Sequence, residues 1–201
     1  YLFPGIVQQG LLYQIAGWDV YAGEVVLASA FIIIMAIINI RGIKQAAWLQ
    51  TAIALTLIGC ILVVTFLVMG SADWSNLAPG FPDGRRWWKG VFSIVAMAPW
   101  AFIGFDCIPQ SAEEYNFSHK KSTSIMITAI LMAALLYIAI CIVTAAGLKP
   151  WQELLADRNN WPTGHVVRNT LGLAGLAVLG TAMFCAVVSG MNAFYICTSR
   201  L

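Results

Sequence analysis

One apolar stretch, residues 90–112, contains three helix-breaking residues and a carboxylate. Pro99, Gly104 and Pro109 interrupt helix there, and Asp106 stands between the last two. A carboxylate near the middle of a bilayer costs about 2.5 kcal/mol or more, so it needs a cavity or a partner. Backbone groups freed at a helix break also need protein or water. The pattern predicts a discontinuous helix lining a solute site, whose half-helix ends offer amides to anions and carbonyls to cations.

A structural alternative stays open for this stretch, namely a proline-kinked helix in which Asp106 pairs with a neighbouring group. Glu113 and Glu114 follow where the segment leaves the membrane, and Lys120 and Lys121 lie in the same connection. These charges suit a solvated helix end with local ion pairs. The functional interpretation is a cytoplasmic gate that closes when Glu113, Glu114 and Lys120 pair with other helices.

The composition places this stretch in a membrane protein. The 201 residues are 60% hydrophobic and 10% charged, whereas a soluble domain has about 25% charged residues. A soluble core of this size could not hide so much apolar surface, so the lipid bilayer is the expected surrounding. The net charge of +2 and the scattered basic residues give no sign of a nucleic-acid partner.

Five segments are long and apolar enough to cross a bilayer, which takes about 20 residues. Continuous runs of this length favour helix over the short alternating strands of a barrel. We predict an all-α polytopic membrane protein, a single transmembrane domain over residues 1–201, and an internal fragment of a longer chain. Residues 1–20 form either an outer loop or the end of a preceding helix. The predicted spans are residues 21–40, 46–69, 90–112, 123–147 and 171–198.

The connections divide into a short set and a long set that alternate along the chain. Basic residues are denser in the short set, which the positive-inside rule therefore places in the cytoplasm. The long set includes Trp74, Trp87, Trp88, Trp151 and Trp161, which suit the outer interface. The membrane is expected to be the plasma (inner) membrane. The short set is residues 41–45, 113–122 and the tail from 199, and the long set is residues 1–20, 71–89 and 148–170.

Three strings, in this order and spacing, resemble the amino acid–polyamine–organocation permeases. Residues 100–106 (WAFIGFD), followed by residues 112–114 (AEE), resemble the sixth helix of that family. Residues 39–44 (NIRGIK) resemble the turn between its fourth and fifth helices, and residues 189–193 (SGMNA) resemble the end of its eighth. The resemblance implies that the five spans are helices four to eight of a twelve-helix protein.

The same resemblance implies a two-repeat inverted (LeuT-like) fold with alternating access and a discontinuous third span. The substrate would lie between the broken first and sixth helices, of which only the sixth is within this chain. The carbonyls of Trp100 and Ile103 would accept hydrogen bonds from the substrate amine, and Trp100 would cover it. The implied substrate-binding residues are Trp100, Ala101, Ile103, Gly104, Phe105 and, on the cytoplasmic side, Asp106.

The coupling ion stays open between H⁺ and Na⁺. Some proton-coupled family members have a lysine in the fifth helix, but residues 46–69 contain none. The alternatives are sodium held partly by the Ser189 hydroxyl, proton coupling through Asp106, or uncoupled exchange. Ser189 could instead bond its own helix backbone. No other cofactor and no metal site are expected, because the five cysteines include no CxxC pair.

We therefore predict a secondary active transporter of amino acids or related amines. Its partners would be a small-molecule substrate, the lipid bilayer and the remainder of the same transporter chain. One alternative is a channel or a non-catalytic membrane subunit. Another is an intramembrane enzyme using Asp106, but the spans supply no second deep carboxylate or histidine, and no P-loop, HExxH or GxSxG motif is present. The protein is expected not to be an enzyme.

Overall fold

The computed structural model describes residues 4–15, 17–78, 80, 86–102, 104–105, 118–147 and 161–198. Most of these residues are helical. The helices are α1 (Pro4–Val7), α2 (Ala22–Arg41), α3 (Ile43–Met69), α4 (Trp87–Ala101), α5 (His119–Gly147) and α6 (Pro162–Thr198). Two strands, β1 (Leu11–Ile15) and β2 (Trp18–Tyr21), and a 3₁₀ helix at Trp74–Leu77 complete the described elements.

Four of these helices are long and apolar enough to cross a membrane, with mean hydropathies between 2.2 and 2.8. They lie at four of the five predicted spans. Helices satisfy the backbone groups of their interior internally, which is what lipid requires, and the finding agrees with an all-α membrane protein. The four segments are Ala22–Arg41, Lys44–Met69, Lys120–Gly147 and Pro162–Tyr195.

The third predicted span, residues 90–112, begins within α4. This helix has 15 residues and ends at Ala101, which gives it a length of roughly 22 Å against about 30 Å of hydrocarbon. Residues 106–117 lie outside the described part of the chain. The full third span and its discontinuity therefore stay predictions, and the finding is a helix that ends inside the apolar stretch.

The segment before α2 forms an antiparallel hairpin. Ile15 pairs with Trp18 and Tyr13 with Val20, and Gly17 in the turn has a φ of 83°, which glycine adopts without strain. The alternative that this segment continues a preceding helix is wrong for residues 11–15 and 18–21. The Tyr21 N–H donates to Glu24 Oε2 (3.3 Å) at the start of α2.

Helix α6 is interrupted at Gly172, whose φ of 67° and ψ of −153° are not helical. The break separates residues 162–171 from residues 173–198. The predicted span 171–198 therefore begins at the break. Glycine at this position allows a left-handed φ that other residues rarely adopt.

The chain divides into two compact units. The first is drawn from Tyr1–Ala54 and Phe184–Leu201, and the second from Leu55–Met183. The core of the second unit joins α3, α5 and α6. At its edge Gly147 permits close packing, since an added Cβ would lie 2.5 Å from Val166 Cγ1. The core residues are Val64, Val68, Val143, Val166, Val167 and Leu179.

The connection that follows α3 is hydrogen-bonded to the end of α5. The Asp73 N–H donates to the Ala146 carbonyl at 3.2 Å, and Asn76 Nδ2 donates to the same oxygen at 3.1 Å. The side-chain and backbone donors of Ser75 lower the pKa of Asp73. Because the folded-state pKa is lowered, these bonds favour the fold above the unfolded pKa and lose their effect as pH falls through the lowered value.

Candidate functional site

The carboxyl end of α4 makes a tight turn rather than continuing as helix. The Phe102 N–H donates to the Pro99 carbonyl at 3.2 Å, and the Phe105 N–H to the Phe102 carbonyl at 3.5 Å. Gly104 has a φ of 102°, a backbone conformation that favours glycine. Pro99 weakens the last turn because it has no N–H to donate to the preceding turn. Proline and glycine together thus end the helix at the position where the sequence predicts a break.

The predicted substrate-binding residues fall partly within this turn. The backbone of Trp100 forms the last helical turn, and Ala101 is the final residue of α4. Gly104 and Phe105 follow it and are both half-buried. Lys120, the basic residue of the predicted gate, is exposed at the start of α5. The predictions for Ile103, Asp106, Glu113 and Glu114 lie outside the described residues.

Tyr137, on α5, contacts this turn within the second unit. Its hydroxyl donates to the Ala101 carbonyl at 3.1 Å. Its ring lies edge-on to Phe102, with centroids 5.9 Å apart and planes at 74°. Phe102 also lies 6.0 Å from the ring of Phe105. Sequence reasoning missed Tyr137, although a lone tyrosine inside an apolar span is itself a signal, because tyrosine in membrane helices is enriched at the interfaces.

Ser189, the predicted sodium ligand, lies on α6 in the first unit. Its hydroxyl accepts a hydrogen bond from Gln50 Nε2 on α3 at 2.7 Å. It is therefore bonded to another helix, whereas the structural alternative has it bonded to its own backbone. A hydroxyl oxygen has two acceptor positions, so the bond from Gln50 leaves one of them for another donor or a cation.

Gln50 and Ser189 belong to a larger hydrogen-bonded group centred on Asn192, which is 0% exposed. Asn192 Nδ2 donates to Gln50 Oε1 at 3.0 Å and to the Ala46 carbonyl at 3.1 Å. Asn192 Oδ1 accepts from Asn39 Nδ2 at 2.9 Å. We call Asn39, Gln50, Ser189 and Asn192 the Asn192 network. It links α2, α3 and α6 within the first unit.

The Asn192 network consists of neutral side chains only. The amide oxygens of Gln50 and Asn192 each accept a donor from within the network, which is what a polar group in an apolar setting requires. Asn39 and Asn192 stand in the strings that carry the family resemblance, but nothing in those strings says that they touch. The signal that could have found them is the presence of amide side chains in apolar segments, where an unpaired amide is costly.

The described residues contain no group of three or more His, Cys, Asp or Glu side chains that could hold a metal ion. The described cysteines Cys60, Cys141 and Cys185 are not in disulfide bonds.

Long apolar helices, together with one that ends inside an apolar stretch, define a polytopic helical membrane protein. Comparison with known protein families shows which family of membrane proteins it belongs to. The amino acid permease family matches residues 5–201, and the chain belongs to that family.

Individual relatives support the same assignment. The methylthioribose transporter of Bacillus subtilis (strain 168) is 31% identical over 135 residues, covering 66% of this chain and 28% of that protein. Cationic amino acid transporter 4 of Homo sapiens is 31% identical over 140 residues, covering 68% and 20%. The chloroplastic cationic amino acid transporter 9 of Arabidopsis thaliana is 23% identical over 159 residues, covering 78% and 27%.

The chain therefore spans less than a third of the length of these relatives. No solved structure matches it significantly. The family and the relatives are transporters rather than enzymes, which agrees with the prediction that the protein is not an enzyme and removes the intramembrane-enzyme alternative.

Proposed function

We propose that the chain is part of a secondary active transporter of amino acids or related amines, working by alternating access. The observation that carries this proposal is the end of α4 at Ala101, followed by Gly104 with a φ of 102°, inside an apolar stretch. The five predicted spans would be helices four to eight of an inverted-repeat (LeuT-like) fold. The substrate would bind at the turn after α4.

The proposed mechanism uses the dipole of the helix end. The carboxyl end of a helix carries a partial negative charge on its last carbonyls, and such carbonyls attract the ammonium group of a substrate. The carbonyls of Trp100 and Ile103 would bind that group, and Trp100 would cover it. Phe105 would add apolar contact, and Asp106 would supply a full negative charge nearby. These interactions suit a neutral or a cationic amino acid.

The Asn192 network supports a common membrane side for three helix ends. It joins residues near the end of α2, the start of α3 and the end of α6. Connections that leave these ends would then lie on one face, as the alternation of short and long connections requires. Because the short connections are dense in basic residues, we propose that this face is cytoplasmic and that the membrane is the plasma (inner) membrane.

The first test is counterflow in liposomes that contain the full-length permease. Liposomes preloaded with an unlabelled amino acid are expected to accumulate the same radiolabelled amino acid, with saturation at high external concentration. A carrier exchanges bound substrate across the membrane, whereas a channel lets it run down its gradient. Ion conductance without saturation would favour the channel alternative. Thermal-shift screening against all amino acids, with and without sodium, identifies which one to label.

A second test concerns the coupling ion. We propose that the free acceptor position of the Ser189 hydroxyl is one of several oxygen ligands for Na⁺. Ser189→Ala is then expected to raise the sodium concentration for half-maximal uptake by about tenfold, since one neutral ligand is lost. The measurement is initial uptake against sodium concentration. Thr181→Val is the control, because Thr181 lies on the same helix and bonds its own backbone at Ala177.

Unchanged sodium dependence in Ser189→Ala would remove Ser189 from the ion site. Proton coupling through Asp106 would then be the next proposal, with uptake driven by an imposed pH gradient as its test.

A further inference from the structure

The end of α4 leaves backbone carbonyls without partners of the helical kind. The last four carbonyls of any α-helix have no intrahelical N–H donor, and in lipid each unsatisfied group costs several kcal/mol. Donors to two of the last four carbonyls are seen among the described residues. The Pro99 carbonyl accepts from the Phe102 N–H at 3.2 Å, and the Ala101 carbonyl accepts from the Tyr137 hydroxyl at 3.1 Å.

Tyr137 holds the turn by two independent contacts. The hydroxyl bonds the final carbonyl of α4, and the ring packs edge-on against Phe102 at 5.9 Å. Phe102 in turn lies against Phe105 at 6.0 Å. Tyr137 lies near the middle of α5, 36 residues along the chain from Ala101. One side chain of a neighbouring helix therefore satisfies the helix end and fixes the aromatic residues that follow it.

We infer that Tyr137 is a positioning residue that sets the geometry of Ala101, Phe102 and Phe105 for substrate binding. This inference rests on the proposed function, because it assigns Tyr137 to the same site. A carbonyl that already receives the tyrosine hydroxyl is less available to a substrate ammonium. Tyr137 thereby directs the ammonium toward the other carbonyls of the turn, and it does so without contacting the substrate itself.

Tyr137→Phe isolates the hydroxyl, because it keeps the ring and its contact with Phe102. We expect the KM for transport to rise roughly three- to fifteenfold, the range for one interhelical hydrogen bond in a membrane protein, with little change in kcat. We also expect faster amide hydrogen exchange in the peptide that covers residues 100–105, because the turn loses its tether. Exchange is measured by mass spectrometry on the full-length permease in detergent.

Tyr195→Phe is the matched control. The Tyr195 hydroxyl also donates to a helix carbonyl, that of Ile32, at 3.1 Å. Ile32 lies inside α2, so its carbonyl sits within a continuous helical ladder. Removing the Tyr195 hydroxyl is therefore expected to leave both KM and the exchange of residues 100–105 at their wild-type values.

The two proposals fail in different ways. If wild-type protein shows no saturable counterflow, the proposed function is wrong, whatever Tyr137 does to the turn. If exchange of residues 100–105 is the same in Tyr137→Phe and Tyr195→Phe, Tyr137 does not hold the turn, and the inference is overturned. Faster exchange with an unchanged KM would also overturn it, because the tether would then have no influence on substrate binding.

Discussion

Gly104→Leu is expected to reduce saturable uptake to background while the protein still inserts into the membrane. Gly104 has a φ of 102°, and a residue with a side chain held in such a sparsely populated region costs about 1–3 kcal/mol. No described atom lies within 4 Å of an added Cβ. The expected loss therefore arises from the backbone, which must leave its turn geometry, and from the leucine side chain, which would enter the proposed site.

A graded series separates these two causes. Gly104→Ala adds only the backbone strain and is expected to lower uptake by roughly five- to 160-fold. Gly104→Leu adds the bulk of the side chain. Gly59→Leu is the control, because an added Cβ at Gly59 also meets nothing within 4 Å and its backbone is part of helix α3. Leucine forms helix better than glycine, so this variant should transport normally.

Uptake is measured as initial rate against substrate concentration in liposomes, and insertion as the amount of protein recovered in the membrane fraction. Normal kinetics in Gly104→Leu would refute the proposal that the turn after α4 forms half of the binding site.

The sequence placed the long helices well because lipid imposes a simple requirement on them. A helix that crosses a bilayer needs about 20 predominantly apolar residues, so hydropathy alone locates it. The ends of the helices are set by local backbone chemistry, so the sequence also indicates where they lie. Gly42 has a φ of 142° and lies between the end of α2 at Arg41 and the start of α3 at Ile43. It falls inside the predicted connection 41–45. The end of α4 likewise follows from Pro99 and Gly104, whose backbone properties do not depend on distant parts of the chain.

Lateral contacts could not be predicted in the same way. The partner of Gln50 or Tyr137 depends on which faces of two helices meet, and a uniformly apolar helix gives little indication of its inner face. The hairpin at residues 11–21 was also not predicted. Its cross-strand pairs depend on how the chain turns between the two short strands. Sequence therefore indicates that a polar residue in a span needs a partner, but the structure identifies it.

Asn192→Leu is expected to destabilise the protein by roughly 2–5 kcal/mol. Asn192 is 0% exposed, and its three hydrogen bonds join Asn39, Gln50 and the Ala46 carbonyl. Interhelical hydrogen bonds in membrane proteins contribute about 0.6–1.7 kcal/mol each, so the three bonds of Asn192 together account for about 2–5 kcal/mol. The variant also leaves the half-buried Gln50 Oε1 without its donor from Asn192. Asn39 Nδ2 keeps its bond to the Met35 carbonyl, which limits the loss.

Asn169→Leu makes the same chemical change on the same helix at an exposed position, where the amide pairs with His165 alone. Exposed substitutions usually change stability by less than about 0.5 kcal/mol, so the two variants should differ clearly in thermal unfolding of the detergent-solubilised permease. Equal unfolding temperatures would mean that the Asn192 network contributes no net stability.

A Gln50→Leu, Asn192→Leu double variant then apportions the effect. Because the two side chains share a hydrogen bond, the stability lost in the double variant should be smaller than the sum of the losses in the two single variants. Full additivity would mean that the bond between them contributes no stability.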